Sequence, residues 1–174
     1  GQILPIKKIS EMAHQYGVQV IVDGAHAFAH IQYSIADLGC DYYAASLHKW
    51  LSVPLGAGIL FVKKEHIKNI WPLFGDNEKD PNKIKRINHT GTHPVHTDLT
   101  IPDSIAYYQM IGPAKKEARL RYLQQYWTSK VKDNLNIIQQ SFLSIHPTPL
   151  VYYSDSKNTF GLPFKNGFYS YEND

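Results

Sequence analysis

The sequence predicts an α/β fold in which a mainly parallel sheet carries helices on both faces. Two apolar runs support this prediction: residues 18–22, followed by Asp23, and residues 42–47, followed by His48 and Lys49. Such near-continuous apolar runs are typical of strands buried on both faces of a parallel sheet. The intervening segment is long enough for a crossover, so we expect Asp23 and Lys49 at the same edge of the sheet, where open α/β sheets bind their ligands.

The remaining elements are predicted from periodicity and from glycine and proline positions. Apolar residues at helical spacing follow Pro5, which suits a first helical turn, and Gly17 ends that helix. The predicted elements are helices over residues 5–17, 34–38 and 65–71, strands over 18–23, 41–47, 56–62 and 150–153, a polar, turn-rich segment over 74–100, and helices over 101–134 broken at Gly112 and Pro113.

A carboxylate and a lysine at one sheet edge suit the chemistry of pyridoxal 5′-phosphate. A lysine amine condenses with the aldehyde of this cofactor, and a carboxylate keeps the pyridine nitrogen protonated so that the ring withdraws electrons. Leu47 and Trp50 flank Lys49 with apolar surface, which disfavours the charged ammonium form of the lysine. The pair Asp23 and Lys49 is therefore the first candidate for a catalytic site.

Three motifs, in this order, resemble those of the class V aminotransferase family of fold-type I pyridoxal-phosphate enzymes. They are residues 22–27 (Val-Asp-Gly-Ala-His-Ala), 41–50 (Asp-Tyr-Tyr-Ala-Ala-Ser-Leu-His-Lys-Trp) and 56–61 (Gly-Ala-Gly-Ile-Leu-Phe). Within that family, the isopenicillin-N-epimerase and cysteine-desulfurase-like branch is the most similar. The resemblance covers residues 1–134 and corresponds only to a segment of the longer family members.

The resemblance implies a role for each residue that matches a motif. Lys49 would form the internal aldimine with the cofactor, and Asp23 would pair with the pyridine nitrogen. His26 would lie near the phenolic oxygen of the ring. The two polar residues before Lys49, Ser46 and His48, would face the cofactor phosphate.

A further motif, Thr90-Gly91-Thr92, resembles the family's Gly-Thr element, which implies that Thr92 reaches the phosphate bound by the other subunit of a homodimer. The same resemblance divides the chain. Residues 1–100 would be the later part of the cofactor-binding large domain, residues 101–134 the connecting helices, and residues 135–174 a tail or the start of the small C-terminal domain.

Two functions follow from this segment. The first is catalysis on an amino acid or amino-acid-like substrate by transamination, epimerisation or elimination. The second is a non-catalytic fragment or remnant of the fold, because the early phosphate loop, the ring-stacking group and the arginine for the substrate carboxylate are not recognised here. Desulfuration is unsupported, since no cysteine follows Cys40.

Each candidate residue also has a plainer interpretation. An aspartate that ends a strand, such as Asp23, often caps a turn, and a lysine is often solvated. A weaker alternative is a metal-dependent hydrolase that uses the clustered histidines His89, His93 and His96. Gly91 interrupts any helix that would align those histidines on one face.

Composition sets limits on partners and compartment. The chain has 174 residues, 43% of them hydrophobic, and a net charge of +3. Its basic cluster (Lys115, Lys116, Arg119 and Arg121) is predicted to be a solvated helix face, so nucleic acid is not an expected partner. A membrane is not an expected partner either, because no uninterrupted apolar stretch approaches the roughly twenty residues of a membrane span.

The compartment is inferred from the cysteine content and from the start of the chain. The single cysteine, Cys40, is predicted to be a small buried residue, which fits a reducing, cytoplasmic compartment. The chain opens on a helix without an initiating Met, which favours a piece of a longer protein with any targeting segment upstream.

Overall fold

The computed structural model describes residues 3–72, 75, 78–88, 91–92, 95–131 and 150–153. The elements are α1 (Ile6–Gln15), β1 (Val20–Asp23), β2 (Tyr42–Ser46), β3 (Gly58–Val62), α2 (His96–Leu99), α3 (Ile101–Ile111), α4 (Pro113–Val131) and β4 (Leu150–Tyr153), with 3-10 helices at Ala36–Leu38, Lys64–Asn69 and Ile84–Ile87. The predicted helices over 34–38 and 65–71 are 3-10 turns, and the strand over 150–153 has the predicted bounds. The other predicted elements are present within their predicted ranges, and residues 132–134 of the last predicted helix lie outside the described residues. The short helix α2 lies in the segment 74–100, which was predicted to be turn-rich.

The α/β fold class is confirmed, and the described sheet is mixed. Its strand order is β3-β2-β1-β4, with β1 and β2 parallel and the other two pairs antiparallel. Residues 24–41 connect β1 to β2 and are long enough for a parallel crossover. Residues 47–57 are too few for a crossover helix, so β3 returns antiparallel to β2.

One face of the sheet forms the core. Val20 and Val22 are fully buried, whereas Ile21 between them is 47% exposed and Leu60 on β3 is 56% exposed. The prediction of a strand buried on both faces is therefore wrong for the described residues, because the helices pack on one side. The core cluster comprises Ile6, Val20, Val22, Cys40, Tyr43 and Ala45.

The helices pack through apolar residues at helical spacing. Ile6 and Ile9 of α1 contact the core cluster, and Tyr16, beyond the end of α1, is 80% exposed. The break between α3 and α4 lies at Gly112, as predicted, with φ of 87°. A second cluster, formed by Ala29, Leu47, Leu51, Val53 and Ala57, packs against Ile101 and Tyr108 of α3.

A buried carboxylate holds the amino ends of the parallel strands together. Asp41, only 3% exposed, accepts hydrogen bonds from the Val20 N–H (2.7 Å) and from His14 Nε2 (2.8 Å). Lys63 Nζ (2.9 Å) and His66 Nε2 (3.1 Å) donate to its other oxygen. Burial alone would raise the pKa of Asp41, but these hydrogen bonds outweigh it and hold the pKa well below the ordinary range.

The tail is described only at β4, which confirms the strand predicted over 150–153 and pairs it with β1. The rest of the predicted 135–174 segment lies outside the described residues. In the part of the chain that the structure describes, every helix is too short or too polar to cross a membrane.

Candidate active site

The two candidate catalytic residues lie at the same edge of the sheet. Asp23 is the last residue of β1 and is in register with Ala44 of β2, which the Gly24 N–H to Ala44 carbonyl hydrogen bond (2.8 Å) reinforces. Lys49 lies in the turn that follows Ser46, the last residue of β2. Asp23 and Lys49 thus lie at or just beyond the carboxyl ends of neighbouring parallel strands, as predicted.

Asp23 is half-buried and uses one carboxylate oxygen within its own turn. Its Oδ1 accepts the Ala25 N–H at 2.9 Å, which is the turn-capping interaction that the sequence left open. Among the residues that the structure describes, none donates to Oδ2. The capping and ligand-binding interpretations of Asp23 are therefore compatible, because each needs only one oxygen.

A pair of buried tyrosines supports the turn after Asp23. Tyr43, 1% exposed, lies beneath Gly24, and its hydroxyl donates to the Gly24 carbonyl at 3.4 Å. Tyr33 hydrogen bonds to the same hydroxyl. Burial raises the pKa of Tyr43 and raises that of Tyr33 to about 12, so both phenols are neutral near pH 7. The Asp23 turn rests on this uncharged pair.

The turn that carries Lys49 is closed by its own backbone. The Leu47 N–H donates to Ala57 (3.1 Å), and the Val53 N–H donates back to Leu47 (3.2 Å). The Ser52 N–H donates to the Lys49 carbonyl at 3.3 Å, and Ser52 has a φ of 65°. Such left-handed geometry is costly for a residue other than glycine and is found where surrounding contacts hold it in place, often at functional sites.

Lys49 borders a cavity that also touches α3 and α4. The cavity has a volume of about 360 Å³, and its lining includes Trp50, Tyr107, Tyr108 and Lys116. Within the described ranges, the half-buried side chain of Lys49 makes neither a hydrogen bond nor an ion pair. Lys49 therefore lies beside a space that is large enough for a small molecule.

His30 connects the two turns. Its ring, 9% exposed, stacks on Trp50 with ring centroids 3.6 Å apart, and its Nδ1 donates to the His26 carbonyl at 3.1 Å. Burial lowers the pKa of His30, and the positive charge of Lys116 adds to this effect, against the hydrogen bond to His26, which favours protonation. A neutral His30 thus ties the turn after β1 to the turn after β2.

The other predicted cofactor-binding residues are less constrained. Ser46 and His48 are half-buried, and His26 is exposed. Thr92 is exposed, and no hydrogen bond joins it to either turn among the residues described. The roles predicted for these four residues stay predictions.

For the metal alternative, the described residues contain no group of three or more side chains placed to hold a metal ion. Of the clustered histidines, His96 opens α2, whereas His89 and His93 lie outside the described residues.

Comparison with known proteins decides the family. The family described as Aminotransferase class-V matches residues 1–141, which is most of the chain. The chain belongs to the class V aminotransferase family. This membership confirms the resemblance drawn from the three motifs around Asp23, Lys49 and Gly56.

Two named relatives show what this class V chain is similar to. It is 29% identical over 142 residues to isopenicillin N epimerase of Streptomyces clavuligerus, which covers 72% of this chain and 36% of the epimerase. It is 42% identical over 121 residues to a cysteine desulfurase of Synechococcus elongatus, covering 64% of this chain and 19% of that protein. The chain therefore spans about a third or less of the length of these relatives.

A solved structure confirms the fold of this class V chain. The apo cysteine desulfurase of Thermococcus onnurineus NA1 superimposes with a TM-score of 0.61 at 20% identity, covering 87% of this chain and 40% of that protein. At this identity the similarity shows the shared α/β fold.

Sequence analysis missed several residues that shape this class V site. Lys116 was assigned to a solvated basic face, but it is half-buried and contacts the turn of Lys49. Tyr43 and His30, which support the turns of the site, were given no role, and neither was Asp41 at the opposite, amino end of the strands. Partners that are distant in sequence leave no local pattern.

Proposed function

We propose that this chain is a segment of a pyridoxal 5′-phosphate-dependent enzyme of the class V aminotransferase family. The enzyme would act on an amino acid or amino-acid-like substrate. One observation carries the proposal. Asp23 and Lys49 lie at the carboxyl ends of the adjacent parallel strands β1 and β2, and each has a polar atom without a partner among the described residues. This arrangement suits a ligand that needs both an amine and a carboxylate.

The proposed role of Lys49 is covalent attachment. Its Nζ would bond to the aldehyde carbon of the cofactor with loss of water, which requires an amine without a competing partner. Asp23 would accept the pyridine N–H through Oδ2 while Oδ1 continues to accept the Ala25 N–H. When bound, the cofactor supplies the electron sink that stabilises negative charge at the substrate α-carbon.

The phosphate of the cofactor would lie near the turn of Lys49. Ser46 and His48 lie next to that turn and provide a hydroxyl group and an imidazole ring, which are suitable hydrogen-bond donors. Thr92 would contribute from the partner in a homodimer. Residues 1–100 would then form the later part of the cofactor domain and residues 101–134 the connecting helices.

The type of reaction is narrowed by Cys40. The thiol is 1% exposed, and burial raises its pKa, which disfavours the nucleophilic thiolate. Cys40 immediately precedes Asp41, which accepts the Val20 N–H at the amino ends of the parallel strands. Lys49 follows the opposite, carboxyl end of β2. We therefore propose transamination, epimerisation or elimination rather than chemistry at this sulfur.

A second candidate is a non-catalytic remnant of the fold. It is favoured by the exposed apolar residues Ile21 and Leu60 on one sheet face. Such a protein would keep the α/β fold without holding the cofactor through Lys49.

Titration of the purified protein with pyridoxal 5′-phosphate separates these functions. The wild-type protein and a Lys68→Ala control, which changes an exposed lysine, should develop the visible absorbance of a lysine-bound cofactor. Lys49→Ala should lose that absorbance while its circular dichroism is unchanged. Persistence of the absorbance in Lys49→Ala would overturn the role of Lys49, and its absence from the wild-type protein would favour the remnant.

A further inference from the structure

The geometry points to Lys116, on α4, as a positioning residue that fixes the turn carrying Lys49. The inference rests on the proposed function of Lys49 and adds a residue outside the three family motifs. Lys116 and Lys49 line the same cavity of about 360 Å³. Lys116 acts on the backbone next to Lys49, through Trp50.

Three contacts hold the Lys116 ammonium group. Its Nζ donates a hydrogen bond to the Trp50 carbonyl. It also lies 5.4 Å from the centroid of the Trp50 ring and 5.3 Å from that of Tyr108 on α3. Both distances are within the range of cation–π attraction. Because Trp50 directly follows Lys49, these contacts restrain the chain one residue from the reactive amine.

The burial of Lys116 indicates that these contacts are specific. Burial lowers the pKa of this lysine, so the protein gives up hydration of a cation at this point. A carbonyl dipole and two aromatic rings replace that hydration. The neighbouring Lys115 is exposed, as expected for an ordinary helix-surface lysine.

The turn that carries Lys49 contains a costly backbone conformation that other contacts must hold. Ser52 keeps a left-handed backbone with φ of 65°, a conformation that persists only where neighbouring contacts enforce it. Ser104 of α3 reaches the Ser52 carbonyl at 3.5 Å, the limit of a hydrogen bond, whereas Lys116 donates a charge-assisted hydrogen bond two residues earlier, at Trp50. Lys116 is therefore the stronger of the two helix contacts to this turn.

The restraint also extends to the Asp23 side of the site. Trp50 stacks on His30, which donates to the His26 carbonyl. The residue after Lys116, Glu117, accepts the Gln32 N–H at 2.8 Å. Consecutive residues of α4 thus hold both connections of the site, residues 24–41 and residues 47–57, in one arrangement.

Loss of this restraint should let the turn move and slow bond formation at Lys49, because small misplacements of a reacting group have large effects on rate. The test compares Lys116→Met with the wild-type protein, with Lys115→Met as the matched control. Lys116→Arg should rescue the defect, since arginine keeps the charge, the N–H donors and the stacking on aromatic rings. Lys116→Leu, which also lacks a donor and a charge, carries the same expectation if the methionine variant loses helix content.

The first readout needs no cofactor. Amide hydrogen exchange of the cofactor-free protein should be about tenfold faster at Ser52 and Val53 in Lys116→Met, the change expected for losing one hydrogen bond from a charged group. Lys115→Met and Lys116→Arg should match the wild-type protein. Unchanged exchange in Lys116→Met would overturn the positioning role.

The second readout is the rate at which pyridoxal 5′-phosphate becomes fixed to Lys49 in the presence of borohydride, followed by mass spectrometry. Lys116→Met should lower the maximal rate about tenfold or more without changing the half-saturating cofactor concentration. An unchanged maximal rate would overturn the inference while leaving the function of Lys49 intact. If Lys49 is not labelled in the wild-type protein, the proposed function fails, and the exchange measurement still decides whether Lys116 restrains the turn.

Discussion

The hydroxyl group of Tyr43 occupies the space into which a side chain at Gly24 would project. The ring is buried and its hydroxyl is hydrogen bonded to Tyr33, so withdrawal of the ring would disrupt that hydrogen bond. Gly24 is required here by close approach and not by backbone conformation. This contact fixes how closely the turn after Asp23 packs on the Tyr43 ring.

Gly24→Ala should therefore destabilise the protein. The added methyl group overlaps a buried ring, and overpacking of this kind costs about 1–3 kcal/mol in the free energy of unfolding. Urea unfolding followed by circular dichroism measures the change. Gly75→Ala is the matched control, because no atom of the described residues lies within 4 Å of the corresponding position. Equal stability of the two variants would show that Tyr43 can move aside.

Asp41→Asn should weaken the amino ends of the parallel strands. The substitution removes the charge that accepts hydrogen bonds from Lys63 and His14, and hydrogen bonds to charged groups contribute about 1.5–3 kcal/mol. Chemical unfolding near neutral pH should show a loss of this size. Asp37→Asn, which changes an exposed aspartate in a 3-10 turn, should have little effect. A similar loss in both variants would contradict this role of Asp41.

The lowered pKa of Asp41 predicts that the stability of the protein falls at acidic pH. The pKa of Asp41 is held below its ordinary value of 3.8, so its contribution to stability is complete above that pH and is lost as pH falls through the folded-state pKa. The stability of Asp41→Asn should vary less than that of the wild-type protein over this acidic range. Parallel acid profiles for the two proteins would mean that another carboxylate dominates.

The lowered pKa of His30 predicts a second change in stability, closer to neutral pH. Burial lowers its pKa below 6.5, so below that pH the unfolded chain binds a proton that the folded protein resists. Stability should fall as pH drops from about 7.5 to about 5.5, and His30→Gln should reduce that fall. Urea unfolding at both pH values gives the comparison. An equal fall in both proteins would show that His30 is not its source.

Asp23→Asn tests the carboxylate of the proposed site. The amide can still accept the Ala25 N–H through its oxygen, so the turn should persist with nearly unchanged stability. The variant cannot hold a protonated pyridine nitrogen by charge, so turnover of an amino-acid substrate should fall by orders of magnitude. Turnover equal to that of the wild-type protein would leave Asp23 as a turn residue only.

Local patterns were sufficient to predict the edge of the sheet on which the site lies. The apolar runs before Asp23 and Lys49 fix two parallel strands, and the length of chain between them fixes their adjacency. Burial on both faces could not be predicted correctly, because the same apolar run is compatible with a sheet covered on one side. Ile21, apolar and 47% exposed, shows this ambiguity directly.

The contacts that hold the site are long-range and could not be predicted. Lys116 and Trp50 are 66 residues apart, and nothing near Lys116 distinguishes it from the solvated Lys115. Asp41 accepts hydrogen bonds from a residue of α1, from the first residue of β1 and from the residue after β3. Such partners become evident only when the fold brings the elements together.

The central claim is that Lys49 is the residue through which this chain holds pyridoxal 5′-phosphate. The most direct measurement is peptide mapping by mass spectrometry after the protein is incubated with the cofactor and reduced with borohydride. The account predicts that the phosphopyridoxyl group is found on the peptide containing Lys49 and that Lys49→Ala is not labelled at another lysine to a comparable extent. Labelling that is spread over exposed lysines, or concentrated on a residue other than Lys49, would contradict it.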